Sequence, residues 1–126
     1  MSGYNIIIAG SRDYTPSDDE IEDAVREWLG WPSEYKLNAV VCGMAKGVDL
    51  AGKKWAERRS IDVIGCPADW SRGKIAGKER NWRMAQEESA DGLIAFWDGM
   101  SPGTAHMIAV ATFEGSSIVV RPTNPK

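Results

Sequence analysis

Short apolar runs alternate with amphipathic stretches along nearly the whole of this sequence, and that alternation restricts the fold more than any other feature. Tyr4–Ala9 (YNIIIA) is apolar without a polar face and stops at Gly10, as a strand buried on both sides does. Thr15-Pro16 then reads as an N-cap followed by proline at the first helical position. Ile21, Ala24, Val25, Trp28 and Leu29 follow at helical spacing with acids on the opposite side, and Gly30-Trp31-Pro32 closes the segment. Asn38–Cys42 (NAVVC) predicts a second strand, Gly43–Gly47 its turn, and Val48 to about Arg59 a second helix. Ile61–Cys66 predicts a third strand, followed by a loop from Ala68 to about Lys74 and a helix from roughly Gly77 to Glu88. Gly92–Trp97 and Ser117–Arg121 predict two more strands around a helix over Gly103–Glu114. That helix is apolar on nearly every side, which predicts packing against the sheet and its neighbours. The expected fold is α/β: a Rossmann-like open parallel five-stranded sheet with helices on both faces, forming one domain over residues 1–126. Ligands of such sheets sit outside the carboxyl ends of the strands, near the switch in strand order. The loops after the first, second and fourth strands are therefore where binding groups are expected.

Composition narrows the partners. With 43% hydrophobic and 26% charged residues the chain reads as globular, and no apolar stretch nears the roughly 20 residues that span a bilayer. The start MSGYNIII has no basic region before its apolar run, so a soluble cytoplasmic protein without a membrane partner is expected. A net charge of −3 with no basic cluster disfavours nucleic acid. Cys42 and Cys66 each fall in a predicted strand and read as buried thiols, with a disulfide open only if those strands are neighbours of suitable geometry. His106 is the one histidine and no C-x-x-C pair occurs, so neither a metal site nor a cofactor is expected.

The first loop, Gly10-Ser11-Arg12-Asp13, offers a close backbone approach, a hydroxyl and a guanidinium fork suited to phosphate; a plain turn with a solvated Arg–Asp pair is the bland alternative. In the second, Gly43-Met44-Ala45-Lys46-Gly47-Val48-Asp49, two glycines four apart precede a helix, and the turn amides can face an anion. It is neither a Walker A motif nor a G-x-G-x-x-G fingerprint, so neither NTP hydrolysis nor NAD redox chemistry follows. Asp49 there either stabilises the helix start or accepts from a ribose or base. In the loop after the fourth strand, Gly103-Thr104 open the apolar helix and form a ready phosphate seat, while Asp98 faces sugar hydroxyls or caps its own loop. Arg80 and Asn81 stand in the first turns of the third helix, close to the expected cleft. Trp70 and Trp97 lie beside loops, where an indole can stack on a base.

Taken in order, several segments resemble the SLOG superfamily, the Rossmann-like group that holds the LOG phosphoribohydrolases and the DprA/Smf proteins. They are Gly10–Tyr14, Gly43–Asp49, Pro67-Ala68-Asp69-Trp70, Gly77 with Arg80-Asn81 and Met84, and Ala90-Asp91 through Trp97-Asp98-Gly99 to Gly103–Met107. The nearest likeness is to the small YspA-like members of bacteria and phages. The resemblance implies a nucleotide-like ligand cradled by the turns after the second and fourth strands, and homodimers as in many relatives. LOG enzymes hydrolyse the N-glycosidic bond of nucleoside monophosphates with an arginine on the third helix and a glutamate in a G-G-x-G-T-x-x-E stretch. Arg80 matches that arginine in position, and Met107 stands where the glutamate would be.

The expected function is thus a binding module, a sensor or sequestering protein for a nucleotide or nucleotide-derived ligand. Its expected ligand-binding residues are Gly10, Ser11, Arg12, Gly43, Ala45, Gly47, Asp49, Arg80, Asn81, Asp98, Gly103 and Thr104. An N-glycosidase acting on a nucleoside monophosphate or NAD-like molecule through Asp13, Asp49 or Asp98 is the alternative. A DNA-associated role of the DprA kind is disfavoured by the acidic balance.

Overall fold

The computed structural model describes residues 3–30 and 36–123. Strands β1 (Tyr4–Gly10), β2 (Leu37–Cys42), β3 (Asp62–Gly65), β4 (Gly92–Trp97) and β5 (Ser117–Pro122) alternate with helices α1 (Asp18–Leu29), α2 (Val48–Arg58), α3 (Ile75–Gln86) and α4 (Pro102–Phe113). All strand pairings are parallel, in the order β3-β2-β1-β4-β5. This is the expected Rossmann-like sheet. The chain winds outward from β1 to β3 and then crosses back to β4, so the order reverses between β1 and β4, where such sheets open a crevice at their carboxyl ends.

The apolar runs explain the two layers. Ile6 and Ile8 of β1 join Val40, Ile94 and Phe96 under α1 and α2, packed with Ile21, Val25, Val48 and Trp55. Ile7 and Ala9 point to the other face, with Val41, Leu93 and Ala95 under Met84, Met107 and Val110 of α3 and α4. A strand buried on both faces cannot afford alternation, which is why β1 reads as an unbroken isoleucine run. Cys42 ends β2, and Cys66 directly follows the neighbouring β3, which stops one residue short of the expected strand end. Yet Cys42 falls on the Val40 face and Cys66 on the Val41 face, and both are free thiols.

Two local expectations are corrected. Helix α1 is capped by Ser17, not Thr15. Ser17 Oγ accepts from the Glu20 amide at 3.1 Å while Glu20 Oε1 accepts from the Ser17 amide at 2.9 Å. This reciprocal box satisfies two otherwise orphaned donors, which Thr15 with its following proline does not. Gly30 closes the helix as expected, at φ 79°, and Trp31 and Pro32 lie outside the described residues. Second, the loop from Ala68 holds a short 3₁₀ turn, Trp70–Arg72, and α3 begins at Ile75, two residues early. Helix α4 packs against the sheet and α3 as expected, burying Thr104, Met107, Val110 and Ala111, while Phe113 is 77% exposed. Its ring meets the Trp82 ring in a T-shaped contact with centroids 5.6 Å apart. Among the described residues no helix is long and apolar enough to cross a membrane.

The cap assignment has a direct check. Ser17→Ala should cost about 1 kcal/mol in urea denaturation, and Thr15→Ala should stay within about 0.5 kcal/mol of the parent. Equal costs would contradict the capping box.

Candidate functional site

At the carboxyl ends of β1 and β4 lies a cleft of about 640 Å³. Nine of the residues singled out from sequence line it: Gly10, Ser11, Arg12, Ala45, Asp49, Arg80, Asn81, Gly103 and Thr104. Gly43 lines a smaller adjoining recess of about 310 Å³ that shares Arg12, Ala45, Lys46, Trp70 and Arg80 with the cleft. Gly47 and Asp98 line neither.

Gly47 works from behind the wall. At φ 81° it holds a conformation that side chains resist, and an added Cβ would stand 2.5 Å from Ser11 O. That close approach lets the Val48 amide donate to Ser11 O at 3.2 Å, stitching the first loop to the second. Asp98 is occupied by its own loop. Its Oδ1 accepts from the amides of Ser101 and Met100 at 2.7 and 2.8 Å, and its Oδ2 from Ser101 Oγ at 3.0 Å. Those amides, Ser101's foremost, hold its carboxyl below the usual range. Ser101 Oγ also lies 2.9 Å from Ser11 Oγ, so the first and fourth loops are joined through hydroxyls.

Asp49 is the central carboxylate. It is 6% exposed, and burial pushes its pKa up to about 6 against the opposing pull of the Ala45 amide and the Arg80 guanidinium. Its Oδ2 accepts from the Ala45 amide at 3.2 Å, while the Met44 amide is held by Cys42 Sγ at 3.3 Å. The turn between the glycines therefore already presents part of its amide face to a carboxylate of the chain itself. Arg80 reaches over from α3 and donates from Nη1 to Gly43 O at 2.6 Å. A Cβ on Gly43 would lie 2.7 Å from Asp49 Oδ2 and 2.9 Å from Arg80 Nη1, so only glycine leaves room for both. Cys42 beside them is no nucleophile near neutrality, because burial lifts its thiol to about 11.

The far wall is the start of α4. Pro102 occupies its first turn, no side chain caps it, and Gly103 and Thr104 line the cleft at the positive end of the helix. Asn81, 4% exposed, donates to Gly103 O at 3.3 Å and accepts from Arg80 Nε at 3.2 Å. At the rim the Arg12 guanidinium lies 5.5 Å from the centre of the Trp70 ring, which is 53% exposed. Trp97 turns its indole N–H to Ser101 O at 3.1 Å and is absent from the lining.

Sequence reasoning missed Lys46, Lys74, Lys78 and Ser101, all of which line the cleft. The lysines of α3 had a signal. Lys74, Gly77, Lys78, Asn81 and Met84 recur at helical spacing, a single stripe that the charged run around it conceals, and every one of them lines the cleft. Met107, at 1% exposure, forms part of the apolar floor with Met84 and Ala9.

A family model described as YAcAr, the YspA, cpYpsA-related SLOG family, matches residues 4–73, more than half of the 126-residue chain. The match takes in the first two loops and Trp70, and ends before Arg80 and α4. Neither the curated proteins nor the solved structures gave a match.

Asp49 carries a pH signature. Its folded pKa of about 6 lies above the ordinary 3.8, so the folded state favours the protonated carboxyl. The stability this contributes is present at low pH and is lost as pH rises from about 4 through 6. Relative to Asp49→Asn, which does not titrate, the parent should lose roughly 2–3 kcal/mol between pH 4 and pH 7, read by urea denaturation. A difference that stays constant over that interval would contradict the burial of this charge.

Proposed function

The chain belongs to the YspA, cpYpsA-related SLOG family, and from that premise we propose that its cleft binds a nucleotide or nucleotide-derived ligand as a sensor or sequestering module. The observation that carries the reading is electrostatic. Five cations line the cleft (Arg12, Lys46, Lys74, Lys78 and Arg80) against two carboxylates, Asp13 and Asp49, in a chain whose net charge is −3. Among the described residues none of the five forms an ion pair, whereas Lys53, Arg58, Arg59, Arg72 and Arg121 elsewhere each do. Unpaired cations gathered around a concave site favour an anion brought from outside. The uncapped start of α4 adds two amides with the same preference. Arg12 and Trp70 at the rim supply a planar fork and a stacking face, the pair of features that phosphate and base require.

The chemistry of the floor favours binding over turnover. Glycoside hydrolysis needs carboxyl groups set on either side of the scissile bond. Here the position implied for a catalytic glutamate is filled by buried Met107, and Asp49 is engaged by the Ala45 amide under the influence of Arg80.

The test compares the 5′-monophosphates of adenosine, guanosine, cytidine and uridine with their free nucleosides. At about 100 times its dissociation constant a ligand adds roughly 2.7 kcal/mol of stability, so at least one monophosphate should raise the melting temperature while its nucleoside does not. Bound nucleotide should be recovered intact by chromatography. Arg12→Ala should weaken binding about tenfold or more, the loss of a charge-assisted hydrogen bond, with little change in the melting temperature of the free protein. Equal shifts from nucleosides would contradict the phosphate seat, and release of free base would transfer the reading to an N-glycosidase.

A further inference from the structure

His106 stands one turn inside α4, lines the cleft, and has its Nδ1 3.0 Å from Asn81 Nδ2. The orientation of that amide is fixed by two partners that each work in one direction only. Arg80 Nε can only donate, and it faces Asn81 Oδ1 at 3.2 Å; Gly103 O can only accept, and it faces Asn81 Nδ2 at 3.3 Å. The second hydrogen of Nδ2 is therefore directed at His106 Nδ1, which must present its lone pair. In a neutral imidazole the ring proton then sits on Nε2, for which no partner exists among the described residues. A proton added at Nδ1 would set two N–H groups against each other. Burial and the nearby Lys78 charge act in the same direction, holding the imidazole below its ordinary pKa.

We propose that His106 is a specificity-determining residue of the cleft, an uncharged Nε2–H donor aimed by Asn81 at an acceptor oxygen or nitrogen on the sugar or base of the ligand. The proposal rests on the nucleotide reading above. It assigns the two parts of such a ligand to different groups. The arginines and lysines respond to charge and take any phosphate, whereas a neutral donor of fixed direction adds selectivity for the uncharged part. A site built around such a donor discriminates strongly against ligands lacking its acceptor, because the donor is then left unmatched. Asn81 is the positioning residue: it is buried, and it links Arg80, the Gly103 carbonyl and the imidazole in one chain of hydrogen bonds.

The test uses the intact chain, in which His106 is the only histidine, so both ring nitrogens in a long-range ¹H–¹⁵N NMR spectrum belong to it, and Nε2 is told from Nδ1 by its coupling to Hδ2 as well as Hε1. The free protein should show a pyridine-type Nδ1 and a pyrrole-type Nε2 at neutral pH. Asn81→Asp, which can only accept when ionised, should reverse the two. Calorimetry then compares the four ribonucleoside monophosphates with inorganic phosphate. His106→Phe should weaken the best-bound monophosphate at least tenfold and leave inorganic phosphate unchanged, and His106→Gln, which keeps an N–H, should recover part of the loss. A pyrrole-type Nδ1 in the parent, or a His106→Phe variant that binds the monophosphate as the parent does, would overturn the assignment alone. Failure of the parent to bind any of the four monophosphates would overturn both the nucleotide reading and the role drawn from it.

Discussion

Asp49 and Arg80 converge over the α-carbon of Gly43, in a space that exists only because that residue has no side chain. A buried carboxylate costs free energy unless hydrogen bonds and opposite charge meet it, and here they come from two parts of the chain. The second loop gives the Ala45 amide, α3 gives Arg80, and Arg80 in turn holds Gly43 O and Asn81 Oδ1. Asn81 carries the network on to the start of α4 through Gly103 O. One loop and three helices (α2 through Asp49, α3 and α4) that meet at the switch in strand order are thereby held by one polar system, and each of its members depends on the others. Arg80 thus acts as a strut between loops as well as a cation of the cleft wall.

The charge distribution follows a division of labour. Acidic residues dominate α1, where Asp18 and Glu22 pair with Arg58 and Arg59 of the α2 end and Asp23 and Glu27 pair with Arg121 of β5. Such exposed pairs contribute little stability each, but they consume the cations of that surface. Among the described residues the cations around the cleft form no ion pair, although Arg80 faces the buried charge of Asp49. An acidic protein can in this way present a locally positive crevice, and its overall charge says little about the sign of what the crevice attracts.

The sheet, the positions of its loops and nine residues of the lining were legible in the sequence because they rest on local rules: isoleucine runs that need burial on both faces, glycines at the ends of strands, helical periodicity. What was not legible depends on which groups the folded backbone brings within bonding reach. Asp98 read as a group for sugar hydroxyls or as the cap of its own loop, and the bonds from Met100 and Ser101 decide for the cap. Gly47 was read as part of the cradle, whereas its role is to let Ser11 O approach from behind. Ser17 lost to Thr15 in the sequence because a following proline is a stronger local signal than a serine three residues before a glutamate. The cap is decided by which side chains can bond each other's amides.

If the loops after β2 and β4 serve one ligand, that ligand must quiet both together. Amide hydrogen exchange of the parent, with and without a saturating nucleoside monophosphate, measures this directly. The account predicts slower exchange at Lys46–Gly47 and at Gly103–Thr104 in the same experiment, with α1 and β5 unchanged. Protection confined to one of the two loops, or centred on α1 and β5, would contradict a single cleft closed by the Asp49–Arg80 network.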